Sequence, residues 1–172
     1  SGRLDRRQLV NAYKGMDDIY TAVKDLPETS FAANISVDMS GSMSEHVQQA
    51  ELYDAVMVLG DTFGMLDMPH EVRAFGSSTA QLKAMDEPFA PRRANYLASG
   101  DLGGTNFAET AGLAHSSLLA CPEKNRMLVC LSDGQMSDHT ESARALREAR
   151  RNGVVTFGIF LGPARDPERL DE

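Results

Sequence analysis

Asp38, Ser40 and Ser42 alternate with Met39 and Gly41 in a single short stretch, setting one carboxylate and two hydroxyls side by side. An apolar run (Ala33, Ile35, Val37) precedes them and a long amphipathic segment follows. Hard divalent cations take oxygen ligands, and Mg²⁺ asks for about six of them near 2.1 Å while giving up its waters reluctantly. A strand that ends in an acid and then turns through a hydroxyl loop into a helix is a place to hold such an ion. Taken alone, a serine-rich turn of this kind is more often a plain helix N-cap.

The elements that must position this loop follow from hydrophobic period and breakers. Residues 31–37 are nearly all small or apolar, as in a strand covered on both faces. Leu52, Ala55, Val56, Leu59, Phe63 and Leu66 recur at steps of three and four, which predicts a helix over 44–65. Strands are expected at 71–75 and 79–85, joined as an antiparallel hairpin by Gly76-Ser77-Ser78. Residues 86–101, with two prolines and no period, read as a long loop. A helix starts near Asn106, where Glu109 gives capping-box spacing, and buries Phe107, Ala111, Ala114 and Leu118 before Pro122 ends it. A strand follows at 127–131. The next helix spans 138–152, with Ala143, Leu146 and Ala149 inward and Gly153 as its stop. A last strand occupies 154–161, and 166–172 begins a further helix that the chain does not complete. Residues 1–30 form an entry segment and linker, with Leu4, Leu9, Tyr13 and Met16 in a short helix and a strand at 19–23.

This order predicts an α/β, doubly wound, Rossmann-like three-layer sandwich whose sheet is mainly parallel with one antiparallel edge strand. The division expected is an extension over 1–30 and one domain over 31–172 lacking its last helix. At 172 residues the chain is long enough for a substantial core. The formal charge of −8 argues against nonspecific binding to nucleic acid, which needs Lys and Arg to neutralise phosphates. Cys121 and Cys130 are too few for a disulfide scaffold, no apolar run reaches the ~20 residues that span a bilayer, and no signal peptide is read. The expectation is a cytoplasmic protein without membrane contact. The four histidines (His46, His70, His115, His139) lack ligand spacing and read as surface or packing residues, and the nine methionines as gap fillers. Arg144, Arg147, Arg150 and Arg151 read as a solvated basic stripe.

Asp38-x-Ser40-x-Ser42 resembles the first signature of the von Willebrand factor A (VWA) family, the DxSxS of its metal-ion-dependent adhesion site (MIDAS). That family draws a threonine and an aspartate from two later loops. Thr105 in Gly103-Gly104-Thr105-Asn106 and Asp133 in Leu131-Ser132-Asp133-Gly134 stand in matching order. Apart from this context Asp133-Gly134 is a turn and Thr105 a helix start. The resemblance spans roughly residues 30–165. It implies Mg²⁺ or Mn²⁺ held by Asp38, Ser40, Ser42, Thr105 and Asp133, with an Asp or Glu of a protein partner as a further ligand. Ser1-Gly2-Arg3-Leu4-Asp5, the serine loop and Leu131 to Gln135 resemble the VWA domain of the CobT-type cobaltochelatase subunit and its bacterial and phage-borne relatives. From that branch comes the expectation of a MoxR-type AAA+ ATPase as partner or of a chelatase-like complex. The Gly103-Gly104-Thr105-Asn106 loop departs toward the general family pattern.

An enzyme is the competing class: a metal-dependent hydrolase or phosphatase using Asp38 or Ser40. A dehalogenase-type phosphotransfer site needs a second Asp two residues after Asp38, where Ser40 stands. A serine elbow needs GxSxG, and a phosphate-cradling loop needs a Gly-rich run with Lys. None of these is present around Asp38. The expectation is therefore a binding module without catalytic residues.

Overall fold

The computed structural model describes residues 3–4, 20–21, 30–44, 46–89 and 103–161. Two short strands near the start, β1 (Arg3–Leu4) and β2 (Tyr20–Thr21), pair antiparallel. Leu4, expected in a helix, is thus in a strand, and the expected strand at 19–23 is represented by β2. The helix expected around Leu9, Tyr13 and Met16, the rest of the expected linker, the part of the expected long loop over 90–101 and the helix start expected at 166–172 lie outside the described residues.

The main sheet has five strands, β3 (Phe31–Asp38), β4 (His70–Phe75), β5 (Thr79–Lys83), β6 (Asn125–Ser132) and β7 (Val154–Phe160), in the order β5-β4-β3-β6-β7. Neighbours run parallel except for the β4–β5 hairpin at the edge. Helices α1 (His46–Met65), α2 (Phe107–Ala120) and α3 (His139–Arg151) connect them. No cis peptide interrupts the described chain.

Side-chain alternation along β3 divides the core. Ala33, Ile35 and Val37 face α1, where they meet Leu52, Val56 and Phe63. Ala32 faces the other way, toward a cluster of Phe75, Phe107, Ala111, Ala114 and Leu118 from β4 and α2 and Ala149 from α3. Asn34 and Ser36, though fully buried, are polar. They are admitted because Asn34 donates to Glu71 Oε2 (3.0 Å) and accepts from Ser36 Oγ (2.7 Å). Glu71 is itself buried and completed by Arg73 at 2.6 Å and Gln81 at 2.7 Å. A buried carboxylate is tolerable only with such a full set of partners.

The first helix ends at Met65 as expected, and Leu66 just beyond it is exposed. One inward assignment fails. Ala143 is exposed, and Ser142 takes the buried place because its hydroxyl reaches Asp138. Gly153 ends α3 with φ of +81°, as its place in the sequence predicts.

From β3 the chain moves outward to β4 and β5, then crosses back to the opposite flank of β3 to form β6 and β7. The direction of winding therefore reverses between β3 and β6. In open α/β sheets the carboxyl ends of strands at such a point form a crevice for ligands.

Candidate metal centre

Asp38 is the last residue of β3 and is fully buried. Its Oδ1 accepts the N–H of Ser40 at 3.0 Å, which bends the chain out of the strand. Its Oδ2 accepts the hydroxyl of Ser132 at 2.6 Å, which fastens the end of β3 to the end of β6. A 3₁₀ turn (Gly41–Ser44) follows, closed by Met43 N to Ser40 O at 3.0 Å. The turn brings the Ser40 and Ser42 hydroxyl oxygens 3.1 Å apart. Gly41 N donates to Gly103 O at 2.9 Å, so the serine loop carries the loop of Thr105.

The threonine loop is fixed from three sides. Gly104 N donates to Ser77 Oγ (2.6 Å) and Asn106 N to Gly76 O (2.8 Å). Thr105 O accepts both the N–H (3.0 Å) and the hydroxyl (2.8 Å) of Ser137. Thr105 is held in this junction at 8% exposure. Asp133 follows β6 directly and is 4% exposed. Its Oδ1 accepts Gln135 N at 2.9 Å, whereas its Oδ2 is buried with no hydrogen-bond partner. Gly134, at φ +78°, makes the sharp exit, and its N–H returns to Ser132 Oγ at 3.0 Å.

All five residues picked from the sequence thus lie at one end of the sheet, Asp38 as the last residue of β3 and the other four on the loops beyond it. Backbone hydrogen bonds join the serine loop to the threonine loop and the threonine loop to Ser137, and the Ser132 hydroxyl ties β6 to Asp38. Burial pushes the Asp38 carboxyl above its usual range, hydrogen bonds from Ser132 and Ser40 oppose this, and the nearby Asp133 charge adds to the rise. Two carboxylates close enough to feel each other, one with an orphaned buried oxygen, form a site that a cation would relieve. The donor set fits Mg²⁺ or Mn²⁺. Ser40 and Ser42 offer adjacent neutral oxygens, Asp133 Oδ2 is a free anionic one, and Asp38, with both oxygens engaged, suits contact through water. Among the described residues no three His, Cys, Asp or Glu side chains gather as a metal cluster, so a cation here would depend on hydroxyls.

Two supporting residues escaped the sequence reading. Ser132 sits beside Asp133 in the same motif, but nothing local shows that its hydroxyl spans to Asp38. Asp138 replaces the expected capping box: Asn106 makes no side-chain cap to α2 and instead accepts from Ser137 Oγ at 3.0 Å. The Asp138 carboxylate, arriving from the start of α3, accepts Phe107 N at 3.1 Å and Ala108 N at 2.7 Å. Burial alone would raise its pKa, but those two N–H groups and the Ser142 hydroxyl outweigh it and hold the carboxyl below the usual range.

The mainly parallel five-stranded sheet, its single antiparallel edge pair and the flanking helices define a VWA-like α/β architecture. No family model and no curated protein matches the sequence. Solved structures do match. One is an aerotolerance-related membrane protein from Bacteroides fragilis, 16% identical, TM-score 0.66, aligned over 79% of this chain and 69% of that one. Another is BatB from Bacteroides thetaiotaomicron, 16% identical, TM-score 0.60, over 76% and 66%. Proximal thread matrix protein 1 of the mussel byssus is 14% identical, TM-score 0.63, over 78% and 39%. The chain spans about two thirds of the two bacterial structures' length and well under half of the mussel protein's. At these identities the likeness is one of fold. No helix among the described residues is long and apolar enough to cross a membrane.

Proposed function

We propose that this chain is a metal-dependent protein-interaction module in which Asp38, Ser40, Ser42, Thr105 and Asp133 hold Mg²⁺ or Mn²⁺ and an Asp or Glu of a partner supplies a further ligand. The observation that carries the reading is Asp133 Oδ2, a buried carboxylate oxygen without a partner, on a loop anchored to the same strand ends as the paired Ser40 and Ser42 hydroxyls. An orphaned charged oxygen is costly unless something outside the chain satisfies it. The bound ion would supply Lewis acidity that draws in an external carboxylate. The chain's own residues hold the hydroxyl pair in place, and the Ser132 and Ser40 hydrogen bonds favour the ionised form of Asp38 against the burial that raises its pKa. Asp38 is read as a positioning group and not as a nucleophile because both its oxygens are already engaged. The partner expected from the CobT-type resemblance is a MoxR-type AAA+ ATPase or a chelatase-like complex.

Thermal denaturation with and without Mg²⁺ tests the site. A ligand at 100 times its Kd adds about 2.7 kcal/mol, which raises Tm by about 5–11 °C in a chain of this size. Asp133→Ala should abolish the Mg²⁺-dependent rise while remaining folded. Wild type whose Tm ignores Mg²⁺ and Mn²⁺, or a mutant that keeps the whole shift, refutes the site. Pull-down from the native host in Mg²⁺ against EDTA then tests the partner.

A further inference from the structure

At the opposite end of the sheet, where β4 begins, a cavity of about 880 Å³ opens between the end of α1, the β4–β5 hairpin and the segment after α2. Its apolar lining includes Met65, Met68, Met85 and Phe89. Asp61, Asp67, Asp86, Glu87 and Glu123 also line it. Lys83, 2% exposed, lies in the wall, and its ammonium donates to the carbonyls of His70 and Ala84.

Among the described residues that line this cavity, two acceptor atoms are buried and unmatched. His70 is 3% exposed and sits between the rings of Phe63 and Phe89, each with its centroid 5.7 Å away. Its Nδ1 lies 2.9 Å from Met68 O. A carbonyl can only accept, so Nδ1 carries the proton. Burial, with a smaller contribution from Lys83, holds the ring pKa below its usual value, so the imidazole is neutral and Nε2 is a bare lone pair. That Nε2 has no hydrogen-bond partner, and neither has the buried Oε2 of Glu123. Two orphaned acceptors, one of them anionic, call for a ligand that carries donors and positive charge. Flexible methionines and an aromatic ring call for an apolar stem on that ligand. Gly60 keeps this wall in place, since a Cβ there would lie 2.4 Å from the Phe89 ring.

We propose that this cavity is a binding site for an alkyl cation. The guanidinium or ammonium head meets Glu123 Oε2 and His70 Nε2, and the stem lies against Met65, Met68 and Phe89. The site stands apart from the loops of Asp38, Thr105 and Asp133, with the length of β4 between them. The same chemistry can come from a free amine or from an Arg or Lys side chain of a polypeptide.

The test is titration of the whole chain with butylguanidinium, with a capped Leu-Arg-Leu peptide, and with pentanamide as a neutral control carrying the same butyl stem. Binding is followed by the ¹⁵N shift of the His70 imidazole and by calorimetry. Saturable binding of butylguanidinium that moves His70 Nε2, with pentanamide at least about tenfold weaker, is the expected result. Glu123→Gln should weaken butylguanidinium about tenfold or more, and Asp38→Ala should leave it unchanged. A peptide at least about tenfold tighter than butylguanidinium assigns the site to a polypeptide side chain, and equal affinities assign it to a free cation. Absence of saturable binding, pentanamide binding as well as the cation, or full affinity in Glu123→Gln overturns the proposal.

Discussion

Replacing Asp138 by Ala should destabilise the protein through two helices at once. The carboxylate accepts Phe107 N at 3.1 Å, Ala108 N at 2.7 Å and Ser142 Oγ at 2.8 Å. Losing the cap on α2 costs about 1–2 kcal/mol. The Ser142 hydroxyl, on a side chain 2% exposed, loses its carboxylate acceptor, for about another 1 kcal/mol. The sum of about 2–3 kcal/mol corresponds to a fall in Tm of about 4–12 °C at this chain length. Asp138→Asn keeps one acceptor oxygen and should lose about half as much. Because the folded-state pKa of Asp138 lies below its ordinary value of 3.8, its ionised form contributes stability that is complete above that value. That contribution is lost as pH falls through the lower folded-state pKa. The wild-type advantage over Asp138→Asn should therefore hold near neutrality and shrink in strong acid. Urea denaturation at several pH values measures both quantities. An Asp138→Ala protein within about 0.5 kcal/mol of wild type would refute the idea that one carboxylate caps α2 from the start of α3.

Other consequences are narrower. Cys130 is 7% exposed and its thiol is pushed up to about 12, by burial first and by the Asp38 charge second. It should resist a thiol reagent at pH 8 until urea unfolds the chain, and rapid labelling of folded protein would contradict its placement. Gly153 has φ of +81° with nothing near its missing Cβ, so Gly153→Ala should cost about 1 kcal/mol from backbone strain alone. Denaturant midpoints check this, and an unchanged midpoint would mean that the end of α3 relaxes freely.

The sequence by itself determined the elements whose signals are local. Apolar runs at 31–37 and 127–131, the three-and-four spacing from Leu52 to Phe63, and Gly153 at a helix stop all depend on residues within a turn or two of each other. They place β3, β6, α1 and the end of α3 close to where the structure has them. The spacing of Asp38, Ser40 and Ser42 likewise identified the loop, and the resemblance singled out Thr105 and Asp133 in two others. Only the tertiary structure decided what holds those loops together. The Ser132 hydroxyl reaches Asp38 because β6 lies beside β3, a pairing across ninety-four positions that no window of sequence displays. Asp138 took the cap that Asn106 and Glu109 were spaced to make, since a carboxylate delivered from α3 accepts two N–H groups at once. His70, which reads as an ordinary packing residue, acquired an unmatched nitrogen only when Phe63, Phe89 and Met68 O closed around it. Hydrogen bonds between distant segments depend on which strands become neighbours, and that is settled by burying both faces of the sheet together.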